Sequence, residues 1–304
     1  MERLPTSGDW QYEIKLDGYR AIAVKREGAV ALLSRRQNRM NEKYPNVAKA
    51  LDRLPPGTVI DGEIVATDAA GKPDFNALQN WKAPDSLYYY AFDVMFYKGR
   101  DVRGLPLSER RRVLEDALSG LADPVRLSPV FDFPVSDIVR AVREQGLEGI
   151  VAKRRDSRYE SGKRSGAWLK YKTRKGHELV IGGYLPGTYV FDSLLVGYYD
   201  GDRLMYLAKV RGGFTRALRR DVAKRFKCLE AAECPFANLP ESRTPRFGKA
   251  LTAEVMKKCC WLKPELVAQV EFADWTEGDH LRHSKFVGLR EDKDAREVKK
   301  EARS

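Results

Sequence analysis

Lys15 stands between two acidic side chains in the stretch YEIKLDGYR, with a glycine and an arginine close behind it. A lysine amine has an ordinary pKa near about 10.4, so at neutral pH it is almost wholly an ammonium and a poor nucleophile. It becomes useful when burial or neighbouring cations depress that pKa, or when an electrophile is held against its small neutral fraction. If EIKLD is a strand, Glu13, Lys15 and Asp17 share one face. Gly18 then permits close approach of backbone or ligand, and Arg20 offers a planar fork suited to phosphate. Taken alone, the same pattern also describes a surface strand of alternating charge.

Further stretches follow in a fixed order: SRRQNR (34–39), DGEIV (61–65), YYAFDVMFYKG (89–99), LEGIVAKR (147–154), WLKYK (168–172) and LREDK (289–293). Together with KLDGYR (15–20), they resemble the ordered motifs of the covalent nucleotidyltransferases, and among these the ATP-dependent DNA ligases. The resemblance covers nearly the whole chain. It implies that Lys15 takes AMP from ATP, that the AMP passes to a DNA 5′-phosphate, and that a 3′-hydroxyl then displaces it to seal the strand.

Each stretch also has a chemical reason to be there. Attack on the α-phosphate of ATP needs cations for the spreading negative charge. Lys170 and Lys172, two apart on a strand, face the same side and supply them. Mg²⁺ or Mn²⁺ is the other expected neutraliser, held by one or two carboxylates plus substrate. Glu148 is the first candidate ligand. Glu63 is the second, and the resemblance assigns it chiefly to the ribose. For adenine, Phe92 is expected to stack on one face, Ile150 or Val151 to form the other wall, and Glu13 to accept from the exocyclic amine. Lys153 arrives on the same run as Glu148 and is counted with the nucleotide site. Arg290, Asp292 and Lys293 lie far away in sequence, and closure of a second domain is expected to bring Arg290 and Lys293 to the β- and γ-phosphates. For DNA, Arg20 and Arg35 are candidates for the 5′-phosphate, and Asp17 for the 3′-hydroxyl side or a metal. The basic loop 153–168 and the cations Lys209, Arg211 and Arg216 are expected to track backbone phosphates.

The elements that must position these groups are legible as patterns. IAVKREGAVALLS reads as two strands about a turn at Glu27 and Gly28, and VIDGEIVATD and YYYAFDVMFY as further strands. PLSERRRVLEDALSGL predicts a helix capped by Ser108, with Leu107, Leu114, Leu118 and Leu121 on its apolar stripe. VSDIVRAVREQG predicts another, carrying Ile138, Val139 and Val142 and ending at Gly146. Beyond about residue 179 the pattern becomes a β-meander with a hairpin turn at Asp200 and Gly201, one helix inside RGGFTRALRRDVAKRF, and a last alternating run at 266–275. The fold class expected is α+β. An adenylation domain of twisted antiparallel sheets with flanking helices (1–173) is followed by an OB-fold β-barrel of five or so strands (174–304), with the hinge near 172–178.

Composition bounds the rest. The chain has 304 residues and a formal charge of +12. The excess is spread evenly, with 30 basic and 24 acidic residues in 1–173 against 25 and 19 in 174–304, so both lobes suit a polyanion. Cys228, Cys234, Cys259 and Cys260 form neither a C-x-x-C pair nor a zinc-finger spacing with histidine, and are expected as reduced thiols in or near a core. No secretory signal and no apolar run near the ~18 residues of a membrane span is present, so a cytoplasmic protein is expected; the family resemblance implies the bacterial cytosol and nucleoid, and a monomer is expected. Trp10 is expected to pack rather than to recognise. The lysine lies so near the start that no large N-terminal DNA-binding domain is expected ahead of it. LPTSGDWQYEIKLDGYR and LRHSKFVGLREDK look most like the ligase module of bacterial end-joining ligases, which implies nicked or broken duplex DNA, a Ku partner and an end-processing polymerase. The rival expectations are an RNA capping guanylyltransferase, an RNA ligase and a non-catalytic nucleic-acid-binding module.

Overall fold

The computed structural model describes residues 4–79, 86–163, 165–173, 176–240, 251–275 and 280–300. Residues 174 and 175 of the expected hinge, and Arg164 of the basic loop, lie outside them. The chain divides into two units, Met1–Arg174 and Lys175–Ser304.

The first unit runs β1 (Trp10–Lys15), β2 (Tyr19–Lys25), β3 (Ala31–Ser34), α1 (Pro45–Leu51), β4 (Thr58–Ala66), α2 (Phe75–Gln79), β5 (Leu87–Tyr97), β6 (Arg100–Asp101), α3 (Leu107–Leu118), β7 (Val125–Leu127), β8 (Val130–Phe131), α4 (Val135–Glu144), β9 (Gly149–Arg154) and β10 (Trp168–Lys172). They make two sheets, one ordered β10-β9-β1-β8 and one ordered β3-β2-β4-β5-β6. All pairings are antiparallel except that β7 lies parallel to β5. β1 and β2 are consecutive yet sit in different sheets, so the chain crosses between sheets at Leu16-Asp17-Gly18. That crossing requires glycine. A Cβ on Gly18 would collide with the Ile64 carbonyl oxygen and lie 2.9 Å from Glu63 Cγ.

The helices cover the sheets through their apolar stripes. α4 places Ile138 and Val142 against Ile150, Ala152 and Tyr171, with Trp10, Tyr12 and Ile14 packed around them. The chain leaves this helix through Gly146 at φ 60°, as its sequence predicts. α3 departs from expectation. Its first flanking residue is Pro106, no side chain caps it, and Ser108 lies inside the helix. Its buried stripe is Leu107, Arg110, Leu114 and Ala117 rather than a row of leucines, because Arg110 finds a buried partner in β5.

The second unit comprises β11 (Gly176–Gly187), β12 (Val190–Asp200), β13 (Arg203–Val210), α5 (Arg216–Lys224), β14 (Glu230–Ala231), α6 (Ala253–Met256), β15 (Cys260–Glu271), β16 (Asp274–Trp275), β17 (Leu281–Arg282) and β18 (Lys285–Leu289). Its main sheet has six strands, in the path β13-β12-β11-β15-β14 with β18 also on β15, and β16 and β17 form a separate pair. A parallel bridge between Gly212 and Lys285 brings β18 back to the segment after β13, so the sheet curls on itself in OB-like fashion. The Asp200-Gly201 turn is present, with Gly201 at φ 60°. α5 begins at Thr215, whose hydroxyl accepts from the Leu218 amide, and buries Leu218 and Val222 in the core. All four cysteines are free thiols. Cys228 is exposed rather than near a core, because it sits in the turn after α5 at φ 67°. No described helix is long and apolar enough to cross a membrane.

Candidate active site

Strand register sorts the first sheet into two faces. Lys15, Gly149 and Lys172 are mutual partners across β1, β9 and β10; Glu13, Val151 and Lys170 form the next row, and Gln11, Lys153 and Trp168 the next. Paired residues share a face, so four lysines and one glutamate line one side. Ile14, Ile150, Ala152 and Tyr171 occupy the other, against α4. Lys170 and Lys172 thus lie on the side that carries Lys15, as the period-two spacing requires. The same register decides between the two proposed walls, since Ile150 is buried in the α4 core and only Val151 belongs to the lysine face. At Gly149 a Cβ would strike the Tyr171 carbonyl oxygen, so glycine is what lets β9 and β10 meet between Lys15 and Lys172.

Lys15 Nζ donates to Glu148 Oε1, and only 17% of the lysine side chain is exposed. Burial pulls the ammonium pKa down, but Glu148, with Asp17 and Glu63 behind it, more than offsets this and the net shift is upward. The resting lysine is therefore a charged amine held by Glu148. The other carboxylate oxygen, Glu148 Oε2, is buried with no hydrogen-bond partner among the described residues. A buried carboxylate oxygen left in this way is costly and suits a cation, so the donor chemistry fits Mg²⁺ or Mn²⁺ completed by substrate oxygens and water. No group of three metal-ligating side chains exists among the described residues, so substrate must complete any such site.

Asp17 does not extend the row of Glu13 and Lys15. β1 stops at Lys15, and Asp17 lies in the crossing to the second sheet. Glu13 lies deeper than its expected part at the adenine edge suggests. Its Oε1 accepts from Gln11 Nε2 at 2.8 Å and pairs with Lys153 Nζ at 2.8 Å, and its Oε2 accepts from the Ser128 hydroxyl at 2.8 Å. Lys153 is 2% exposed. It lies 4.7 Å from the Phe92 ring centroid and 4.3 Å from that of Trp168, and Nζ donates to the Phe92 carbonyl at 3.3 Å. Phe92 and Trp168 meet edge to face at 5.9 Å. The lysine therefore lies against the aromatic pair, bound to Glu13, rather than at an open surface.

On the second sheet, Arg20 stands opposite Glu63. It makes a bidentate pair with the fully buried Asp61, through Nε at 2.9 Å and Nη2, and Nη2 also donates to the Tyr159 hydroxyl at 3.2 Å. Tyr159 donates to Asp61 at 2.7 Å. Burial lowers the guanidinium pKa, but Asp61 outweighs it and keeps the charge firmly in place. The Arg20 side chain is still 43% exposed, so the fork is braced on one edge and open on the other. Beneath it lies a second pair with both side chains at 0% exposure. Arg110 donates to Asp93 through Nε at 2.8 Å and Nη2 at 2.9 Å, and its Nη1 reaches the carbonyls of Leu105 and Ser157 at 2.6 and 2.7 Å.

Sequence reasoning missed several of these residues. Trp168 and Gln11 were recoverable, since each lies two residues from a chosen one on the same strand face, and Asp61 stands two before Glu63. Tyr159, Arg110, Asp93 and Ser128 carried no local signal. Arg35 sits exposed in the turn after β3. In the second unit, Arg290 is braced by Asp292, Nε to Oδ1 at 2.9 Å and Nη2 to Oδ2 at 2.8 Å, and by Gln269 at 3.2 Å. Lys293 pairs with Glu178 at 3.0 Å. Arg211 pairs with Asp192 at 2.8 Å, Arg216 covers the Tyr189 ring at 4.4 Å, and Lys209 lies on β13.

The chain is 37% identical over 305 residues to the multifunctional non-homologous end joining protein LigD of Pseudomonas aeruginosa, covering 97% of this chain and 35% of that protein. It is 32% identical over 315 residues to DNA ligase C2 of Mycolicibacterium smegmatis, covering 94% and 87%. A solved structure, mycobacterial DNA ligase D complexed with ATP and MES, superposes with a TM-score of 0.70 at 30% identity over 99% of this chain and 97% of that one. The chain spans about a third of the length of the LigD relatives. Residues 2–172 match the ATP dependent DNA ligase domain and residues 187–293 the ATP dependent DNA ligase C terminal region, and the chain belongs to the ATP-dependent DNA ligase family.

Proposed function

We propose that this chain seals nicked or broken duplex DNA through a covalent lysyl-AMP on Lys15, and serves end joining in the bacterial cytosol beside a Ku-type partner and an end-processing polymerase. The single observation that carries the chemistry is the buried Lys15–Glu148 pair on a sheet face lined by Lys153, Lys170 and Lys172. The LigD relatives, named for non-homologous end joining, support the biological setting.

In the first step the Lys15 nitrogen attacks the α-phosphorus of ATP. A P–N bond forms, the P–O bond to pyrophosphate breaks, and the proton leaving the ammonium has Glu148 as its hydrogen-bonded acceptor. Phe92 and Val151 hold the base, Glu63 the ribose, and Lys170 and Lys172 the α-phosphate oxygens, with Arg290 and Lys293 assigned to the pyrophosphate. Next a DNA 5′-phosphate oxygen attacks the same phosphorus, the P–N bond breaks, and AMP is joined to the DNA end. Finally the 3′-hydroxyl attacks the 5′-phosphorus, the phosphodiester forms and AMP leaves. Arg20, braced by Asp61, suits the 5′-phosphate in both transfers. Glu148 is the residue for a divalent cation, with Glu63 or Asp17 as second carboxylate; bound there, the ion would neutralise phosphate charge.

The test is labelling with α-labelled ATP, followed by denaturing electrophoresis and sealing of a nicked duplex. Wild-type protein should retain label and seal; Lys15→Ala should do neither while still binding duplex. Sealing by Lys15→Ala refutes the mechanism, and label taken from GTP in preference to ATP refutes the substrate.

A further inference from the structure

Strand alternation alone would turn Glu148 away from Lys15. Across β1, β9 and β10 the row Lys15, Gly149 and Lys172 lies on one face, and the row Ile14, Ile150 and Tyr171 on the other. A strand extended back one residue before Gly149 would therefore direct Glu148 toward α4. Its carboxylate nevertheless accepts from Lys15 Nζ. The backbone must leave strand geometry at this residue, and β9 does begin one position later, at Gly149. Whatever holds that departure sets where the carboxylate meets the amine.

The chain arrives from α4 already fixed. The Gly146 amide donates to the Arg143 carbonyl and the Leu147 amide to the Val142 carbonyl, both at 2.9 Å. With Gly146 left-handed and Leu147 buried in the α4 core, this is a Schellman ending. On the far side stands Thr173, the residue after Lys172. Its amide donates to the Glu148 carbonyl at 2.9 Å. Its hydroxyl lies within donating reach of two consecutive carbonyls, those of Leu147 and Glu148, the second at 3.2 Å. Successive carbonyls of a strand point to opposite sides. Two that converge on one hydroxyl mark a turn, and Thr173 is the side chain they converge on. β10 is tied to the same helix, since Arg143 donates to the Tyr171 hydroxyl. One residue thus joins the end of β10 that carries Lys172 to the turn that carries Glu148.

We propose that Thr173 is a positioning residue for AMP transfer, its hydroxyl holding the Leu147-Glu148 turn that aims the Glu148 carboxylate at Lys15. This rests on the lysyl-AMP reading and adds to it a residue that acts only through Glu148. The requirement is for a donor rather than for shape. Valine nearly matches threonine in volume but cannot donate to either carbonyl, whereas serine keeps the hydroxyl.

The experiment uses the full chain with Mg²⁺ and α-labelled ATP, and follows single-turnover formation of lysyl-AMP over a range of ATP concentrations. Thr173→Val should lower the saturating rate on the order of 10–100-fold. Half-saturation by ATP should stay within about twofold of wild type, and Thr173→Ser should bring the rate back to within about threefold. A second readout needs neither ATP nor metal. A water-soluble carbodiimide joins a carboxylate to an amine in contact with it, so the Lys15–Glu148 amide, detected by peptide mass spectrometry, should be lost in Thr173→Val and kept in Thr173→Ser. Rates are compared where circular dichroism shows each variant folded, with Thr173→Ala replacing Thr173→Val should the latter not fold; failure of both to fold overturns the proposal. A near wild-type saturating rate without the hydroxyl also overturns it, as does a loss confined to ATP half-saturation or a cross-link that survives. Wild-type protein that forms no lysyl-AMP would undo the ligase reading, whereas normal lysyl-AMP formation in both wild type and Thr173→Val would undo the role of Thr173 alone.

Discussion

Replacing Arg110 by methionine tests how the unit is braced beneath Arg20. Arg110 and Asp93 are both at 0% exposure, and the guanidinium makes two bonds to the carboxylate and one to each of two backbone carbonyls. Methionine keeps the stem but strands the Asp93 charge. Breaking one side of such a pair costs about 3–5 kcal/mol, a large part of a domain stability of about 5–15 kcal/mol. The loss should depend on pH, with a sign that follows from Asp93. Burial raises its pKa above the ordinary value, and Arg110 is the chief group pulling it back. The folded state therefore binds a proton that the unfolded state has already released, so this group's contribution to stability falls as pH rises from the ordinary carboxylate value through the raised one. Without Arg110 the folded value climbs further. Urea unfolding should show a smaller penalty at mildly acidic pH, toward protonation of Asp93, than at neutral pH. Adding Asp93→Asn to the variant should recover part of the loss. Sealing should slow as well, since Arg110 holds the Ser157 carbonyl two residues before Tyr159, which supports Arg20. A penalty below about 1 kcal/mol at neutral pH, or one equal at both pH values, refutes the argument.

Glu148→Gln removes the chief group that raises the Lys15 pKa against burial, so that pKa should fall. Labelling of Lys15 by an amine-selective reagent at mildly alkaline pH, followed by peptide mass spectrometry, should therefore speed up, and unchanged or slower labelling would contradict the reading. Gly149→Ala drives a Cβ into the Tyr171 carbonyl and to 3.0 Å from Lys172 Cα, so thermal unfolding should show a loss of about 1–3 kcal/mol. Gly104→Ala, with nothing within 4 Å of its added Cβ, should be close to neutral by the same measurement.

What the sequence determined by itself is what backbone periodicity carries. Two-residue alternation in YEIKLDGYR and WLKYK already placed Glu13 with Lys15, and Lys170 with Lys172, on one-sided rows, and the order of the motifs supplied the family. The curled second-unit sheet was legible in its alternating runs and turn residues, because hairpin register is local. Only the tertiary structure decided who pairs with whom. Glu148 reaches Lys15 from 133 positions away, Asp61 and Tyr159 reach Arg20 from 41 and 139, and Arg110 reaches Asp93 from a helix whose stripe looked apolar. Such pairs depend on which strands become neighbours, and no local propensity encodes that choice. Asp17 shows the boundary between the two levels. Alternation put it in the strand row of Lys15, but Gly18 must press against the Ile64 carbonyl for β1 and β2 to enter different sheets, and that crossing ends the strand at Lys15 and leaves Asp17 beyond it.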